Sequence, residues 1–238
     1  MKERRHIMGK GPWVIVQEWH DVYFLHWPIA VEDLRRYVPR ELEIDTFDGI
    51  AWLGVVYFQM KNLRVRFIPP IPKTCSFLEL NLRTYVKYKG KSGVYFFSLD
   101  VNNPLVSVLA SVGDLLPIRY AKMYEKRNKD ALTFQNRREE AGRTPEILIA
   151  SVKPISEPIT PTPLESWLTE RYYLWTKVKG KLIRQYNGHT QWILQRAHGV
   201  VYENSMAPYL MSQVQADKPI VHYSKYKKAF LYLPIKES

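Results

Sequence analysis

The chain has 238 residues, 46% of them hydrophobic and 24% charged, with 16 Pro, 11 Gly and one Cys. This is the composition of a globular protein and excludes a disordered or fibrous chain. A chain this long buries enough surface to need no disulfide or structural metal, and the lone Cys75 can build neither an intrachain bridge nor a Cys-based zinc site. The net charge of +12 raises nucleic acid or another anionic partner as a reading. The basic residues are nevertheless spread in small groups, two of which flank a glycine in KYKGK (87–91) and KVKGK (177–181), as solvated hairpin ends do. The basic start MKERRHIMGKGPW has no apolar run behind it, and PLVSVLASVGDLLPI, broken by Asp114, is too short to span a membrane. A soluble, cytoplasmic protein without membrane contact is expected.

In chain order, strand-like runs at 14–17 and 22–26 precede a short amphipathic helix at 31–38, set between Pro28 and Pro39. Strands follow at 42–47 and 50–60; the second, IAWLGVVYFQM, is apolar at nearly every position and reads as buried on both faces. FLELNLRTYVKY (77–88) alternates, with Leu78, Leu80, Leu82, Thr84 and Val86 on one side and Glu79, Asn81, Arg83 and Tyr85 on the other. KGKSG turns it into a partner strand at 94–100. Asn103 caps a helix begun at Pro104 and stopped by Pro117. Strands are predicted at 120–127, 132–138 and 147–152, before a proline-rich surface crossover (152–163) and a turn of helix capped by Thr162. Strands at 171–178 and 181–186, a weaker helix at 206–215 and a strand at 229–233 complete the chain.

Helices that do not alternate with strands argue against a doubly wound parallel sheet. The pattern predicts an α+β fold of mainly antiparallel strands, curled toward a barrel, with a few short helices. Residues 1–18 form an N-terminal extension with the first strand, and 19–238 form a single domain.

No phosphate loop, dinucleotide fingerprint or zinc-protease helix is present, and no cofactor or metal is expected. His20 and His26 lie about 20 Å apart along one strand, too far to share a metal. No serine sits in a nucleophile elbow, and Cys75 has no visible activating partner. The informative feature is the polar face of 77–88. Glu79, Asn81 and Arg83 follow one another at about 7 Å and can converge on a small polar ligand. A solvent-facing strand with cross-strand ion pairs is the competing reading.

Five stretches in order, WHDVYFLHWPI (19–29), LEIDTFDGIAWLGVVYFQM (42–60), FLELNLRTYVKYKGKSGVYFFSLD (77–100), LPIRYAKM (116–123) and ESWLTERYYLWT (165–176), resemble the YqjF-like family, a bacterial family of unknown function. A more distant resemblance is to the acetoacetate decarboxylase-like superfamily, whose barrel encloses a small cavity with a reactive lysine. Its succession of strand, hairpin, strand end, short helix and Gly-Phe-Pro-Lys-Lys turn looks like Phe77-Leu78-Glu79, the hairpin at 90–93, Ser98-Leu99-Asp100, the helix from Pro104 and Leu116-Pro117-Ile118-Arg119. The resemblance implies a decarboxylase-like barrel and makes Glu79 the match to the active-site carboxylate. It also places Ile118 where the nucleophilic lysine stands and Arg119 at its basic neighbour. Neither side chain can form a Schiff base. Lys122, which alternation would bring to the face of Ile118 and Tyr120, is the alternative nucleophile.

The implied protein binds a small anionic or carbonyl-bearing metabolite, with Arg83 or Arg119 on its negative end and Glu79 as acceptor or proton shuttle. Asn81, Tyr95 and Tyr120 are further candidate ligand-binding residues. Glu170, Arg171 and Tyr172, at the start of a later strand, join them as candidates for the cavity wall. Trp19, Trp27, Trp52 and Trp175 are assigned to packing. Whether chemistry follows binding is left open, a lyase or proton-transfer step included. Binding of nucleic acid through the basic exterior is the alternative function, and homo-oligomerisation is an expectation from the superfamily alone.

Overall fold

Residues rich in β-branched and aromatic side chains at every second position build the molecule from strands. The computed structural model describes residues 11–111, 115–214 and 218–237. Arg4 and Arg5, Asp114 and the last position of the helix expected at 206–215 lie outside them.

The first half of the chain forms β1 (Trp13–Ile29), α1 (Val31–Arg35), β2 (Glu43–Ile44), β3 (Ala51–Val65), β4 (Phe77–Tyr88), β5 (Lys91–Val101), α2 (Pro104–Ser111), β6 (Ile118–Tyr120) and β7 (Lys122–Asn128). The second half forms β8 (Ala131–Arg138), β9 (Glu146–Pro154), α3 (Pro163–Thr169), β10 (Tyr173–Val178), β11 (Lys181–His189), β12 (Gln195–Asn204), α4 (Pro208–Val214), β13 (Ile220–Tyr232) and β14 (Ile235–Lys236). β1 runs unbroken through position 18, where the sequence reading drew its boundary.

Seven strands close into a mixed barrel in the order β11-β10-β5-β4-β3-β1-β13, with β13 returning to β11 through Asn187↔Leu231, Gly188↔Phe230 and His189↔Ala229. Pairing within the barrel is antiparallel except where β10 meets β5, a parallel seam of two pairs, Leu174↔Val94 and Trp175↔Tyr95. From β13 the sheet continues through β12, β9 and β8 to β7, which folds back over the barrel. Alternation explains the two layers. Tyr23, Leu25, Val55, Tyr57, Leu80 and Leu82 point outward and pack on Met123, Leu132, Phe134, Leu148 and Ala150 of this flanking sheet, with the Tyr57 and Phe134 rings stacked at 4.3 Å. Their neighbours Phe24, Val56, Phe58 and Phe77 point inward. The first ten residues of β3, Ala51–Met60, are thus apolar at nearly every position because both faces are buried there, as expected.

A buried polar tie joins the layers. Asp100 of β5, fully buried, accepts hydrogen bonds from Asn136 Nδ2 and Arg138 Nη1 of β8, each at 2.7 Å, and Arg138 also binds Glu146 at 2.5 Å.

Several sequence readings needed correction: the runs at 14–17 and 22–26 are one strand, β1, and β13 starts at Ile220 rather than at 229. β12 was missed, because its outward half is exposed and Gly199 weakens its strand signal. That glycine is required by close packing, since a Cβ there would lie 2.9 Å from Val221 Cγ2. The strand expected at 120–127 is split at Ala121: β6 pairs with β5 of the barrel and β7 with β8 of the flanking sheet. The alternation expected to align Ile118, Tyr120 and Lys122 is therefore broken. No helix among the described residues is long and apolar enough to cross a membrane.

Candidate functional site

The barrel encloses a cavity of about 360 Å³, within the usual range of small-molecule sites. Its wall follows from the strand period and from two bulges. On β1 the register shifts between His20 and Tyr23, with Asp21 at φ 50°, so Trp19 and Val22 both face inward. Asp21 is held in this conformation from the flanking side, accepting from Arg127 Nη2 and Tyr223 Oη at 2.7 Å. On β5 a shift opposite Leu82 and Arg83 turns both Phe96 and Leu99 inward.

Along β4 the inward residues, from one end of the barrel to the other, are Phe77, Glu79, Asn81, Arg83 and Tyr85. The first four line the cavity. Glu79 is paired across the sheet with Phe58 and Val101, and Asn81 with Val56 and Leu99. Arg83 is paired with Gly54 and Phe96, and Gly54 in turn with His26. Gly54 leaves the space in which these groups meet: a Cβ there would lie 3.2 Å from both His26 Cδ2 and the Tyr85 hydroxyl and 3.5 Å from Arg83 Cγ. The far wall carries Thr169, Arg171, Gln185, Asn187 and His189. At the Arg83 end, Trp52, Tyr85, Val94 and Leu168 form a floor, the last from α3. That helix is fixed by a capping box between Thr162 and Glu165, by Tyr85 Oη donating to the Leu168 carbonyl at 2.9 Å, and by Glu165 accepting from Arg196 Nε at 3.3 Å and lying 3.2 Å from His222 Nε2. At the other end lie Val106, Leu109 and Ala110 of α2.

The two guanidinium groups inside differ. Arg171 is neutralised by Asp45, with Nη1 to Oδ2 at 2.6 Å, donates Nε–H to the Trp167 carbonyl at 2.7 Å and stacks on the Trp167 ring. Arg83 has no acidic partner among the described residues. It lies 5.8 and 5.9 Å from the centroids of the Phe24 and Tyr85 rings, and its Nε and Nη2 are buried without a hydrogen-bond acceptor. Among the described residues Arg171 Nη2 and the indole nitrogens of Trp19 and Trp192 are also buried donors without acceptors, and Asn81 Oδ1 and Asn187 Oδ1 are buried acceptors without donors.

Burial between apolar neighbours pushes the Glu79 carboxyl up to about 7, against a smaller downward pull from the Asn81 amide. Burial likewise pushes His189 down to about 4. Its Nδ1 lies 2.8 Å from the Thr190 carbonyl, which can only accept, so Nδ1 carries the hydrogen. His26, sealed behind the wall, is held well below the ordinary histidine range by burial, with Arg83 and His222 adding to the effect.

Of the residues singled out from sequence, Glu79, Asn81, Arg83 and Arg171 meet at the cavity, and Trp19, expected only to pack, lines it too. Tyr95 faces away and packs beside Val38, Leu42 and Trp175. Arg119 is ion-paired with Glu140. Tyr120 is exposed, and Lys122 is exposed and paired with Glu139 at 2.9 Å. Glu170 accepts from the Tyr172 hydroxyl and, at 2.8 Å, from the Trp192 backbone N–H. Ile118 lines the cavity where the resemblance puts the nucleophile, and no lysine is among the described lining residues. The buried Lys227 is turned aside, donating to the Gln191 carbonyl at 2.6 Å and to Thr190 Oγ1 at 3.1 Å. Among the described residues no group of His, Cys, Asp and Glu is placed to hold a metal. Gln185, Asn187 and His189 were missed. Their alternation in KLIRQYNGH is the same signal that exposed Glu79, Asn81 and Arg83.

The family described as an uncharacterized conserved protein, DUF2071, matches residues 16–228. The uncharacterized protein YqjF of Bacillus subtilis is 40% identical over 229 residues, 95% of this chain and 93% of that protein. Among solved structures, the enduracididine biosynthesis enzyme MppR complexed with pyruvate superposes with a TM-score of 0.65 at 13% identity, covering 97% of this chain and 92% of that one. The acetoacetate decarboxylase of Legionella pneumophila gives 0.66 at 12%, covering 97% and 90%. An acetoacetate decarboxylase-like enzyme of Sphingomonas wittichii gives 0.67 at 11%, covering 96% and 94%. At such identities the structural likeness speaks to fold alone. The chain belongs to the DUF2071 family, as YqjF-like a protein by sequence as it is acetoacetate decarboxylase-like in the barrel it forms.

Proposed function

We propose that the barrel binds a small organic anion whose carboxylate is held by Arg83, with Arg171 Nη2 at hand to complete its hydrogen bonds and the unpartnered Asn81 Oδ1 open to a donor on the ligand. The observation that carries this reading is the Arg83 guanidinium, which lines the cavity with no acidic partner among the described residues and with two nitrogens lacking acceptors. More than nine in ten buried polar groups in folded proteins are satisfied, and an uncompensated buried charge is costly. A carboxylate supplies the missing acceptors and the missing charge in one planar, bidentate contact. Support from fold comes from MppR, whose structure holds pyruvate.

Glu79, pushed up to about 7, is largely an uncharged acid below neutral pH; it stands two inward positions, about 13 Å, along β4 from Arg83, where it can donate to, or pass a proton to, an oxygen farther along a bound ligand. Imine chemistry at the decarboxylase position is excluded here by Ile118. The exterior reading is weaker. Two of the hairpin lysines are already paired, Lys87 with Asp45 at 3.1 Å and Lys177 with Glu41 at 2.6 Å.

The test is a thermal-shift comparison of small carboxylates, keto acids, aldehydes and oligonucleotides at low and moderate salt. A ligand at about 100 times its Kd stabilises by about 2.7 kcal/mol. The expected result is a salt-insensitive shift with a carboxylate that disappears in Arg83→Met. A shift given only by oligonucleotides, and abolished by salt, would move the function to the basic exterior.

A further inference from the structure

We infer that the ligand is an amphipathic acid, with its carboxylate on Arg83 and an apolar tail running along the barrel axis to a mouth beside α2. The inference rests on the carboxylate reading above and adds the chemistry of the rest of the molecule.

On the side formed by β3, β4 and β5 the cavity changes character along its length, while the opposite wall carries the polar Arg171, Gln185, Asn187 and His189. Arg83 lies at its inner end, above the floor built on Trp52 and Tyr85. From Arg83 to Phe77 along β4 is about 20 Å at the ordinary strand rise. Over that span the inward residues of β3 are Val56, Phe58 and Met60, and those at the far end of β5 are Leu99 and Val101. The only ionisable group among these facing rows is Glu79, and its apolar flanks favour the uncharged acid. A short polar acid bound at Arg83 would leave the apolar rows of β3 and β5 facing water. An aliphatic or aromatic tail would bury them.

The exit has the same character. Leu109 lines the cavity and is nevertheless 56% exposed, so the cavity opens beside it. Its neighbours Leu105 and Val108 are exposed as well, and α2, PLVSVLAS, carries no charged residue. The segment after β3 is tied to this helix through Asn103 Nδ2 and the Lys73 carbonyl at 2.5 Å, and it exposes Phe67, Ile68 and Ile71. Exposed apolar side chains on the helix that lines an opening mark a binding site more often than a chance surface. Polar metabolites are commonly admitted through charged mouths that concentrate them; this one favours a molecule with an apolar end.

The experiment is isothermal titration of the full-length protein with straight-chain acetate, butanoate, hexanoate, octanoate and decanoate below their micelle concentrations, beside the primary alcohols of matching length. Affinity is expected to rise about fourfold per added methylene, with each acid bound at least tenfold more tightly than its alcohol. Leu109→Glu, at an exposed position where folding is not at stake, is expected to weaken octanoate at least tenfold. Acids that bind with no dependence on chain length would overturn the amphipathic ligand and leave the carboxylate site standing. Alcohols binding as well as acids, or no acid binding at any length, would overturn both.

Discussion

Glu79 shows how one side chain records the purpose of its surroundings. Its cross-strand neighbours are Phe58 and Val101, and among the described residues no cation is paired with it, so folding lifts its pKa from 4.5 to about 7. An acid with a raised pKa leaves the fold unpenalised below pH 4.5; stability then falls as pH climbs through 7, where the buried group ionises. Glu79→Gln removes this loss. In urea unfolding the variant is expected to gain on the wild type by on the order of 2 kcal/mol between pH 4.5 and pH 8, after discounting for water reaching the cavity; parallel pH profiles would show that Glu79 is not the group responsible. The placement of Glu79, Asn81 and Arg83 on one face was legible because a strand has a period of two. Whether that face met water or a cavity was not, since this depends on β10 and β11 arriving from residues far along the chain. His26 was equally illegible: it continues the apolar inward row Val22, Phe24, and only the fold brings Arg83 and His222 to it.

Among the elements, the parallel contact of β5 with β10 is held by two residue pairs, and the sequence pays for it with a glycine. A Cβ on Gly93 would run into the Tyr173 carbonyl oxygen and lie 2.7 Å from Trp175 Cδ1. Backbone and a fully buried indole cannot yield as a flexible side-chain tip would. Gly93→Ala is therefore expected to cost about 3 kcal/mol, at the high end for a single methyl, by prising the seam open; chemical denaturation measures it, and a loss under 1 kcal/mol would mean the seam adjusts freely. Most strands could be read from sequence, but not the parallel direction of this seam, nor the break at Ala121. Hydrophobic periodicity reports which side of a strand is buried and says nothing of which strand lies next to it.

For the whole molecule, the barrel and its flanking sheet are joined by more than the apolar layer around Tyr57 and Phe134. Asp100 and Arg138, both buried, face each other across it at 2.7 Å. Arg138→Met removes the only charged partner, among the described residues, of a fully buried carboxylate and leaves it Asn136 alone, and about 3–5 kcal/mol of stability is expected to go with it; a double variant that also replaces Asp100 by Asn should recover part of that loss in equilibrium unfolding. Full independence of the two substitutions would show that the pair does not couple the layers. The seam between β5 and β10 has a consequence for how the molecule is made. Antiparallel neighbours such as β4 and β5 meet through a short hairpin, whereas Val94 must find Leu174 across the intervening β6, β7, β8 and β9. Closing so long a loop for two pairs is entropically slow. The seam is therefore expected to form after hairpins such as β4–β5, and the cavity is complete only once it has.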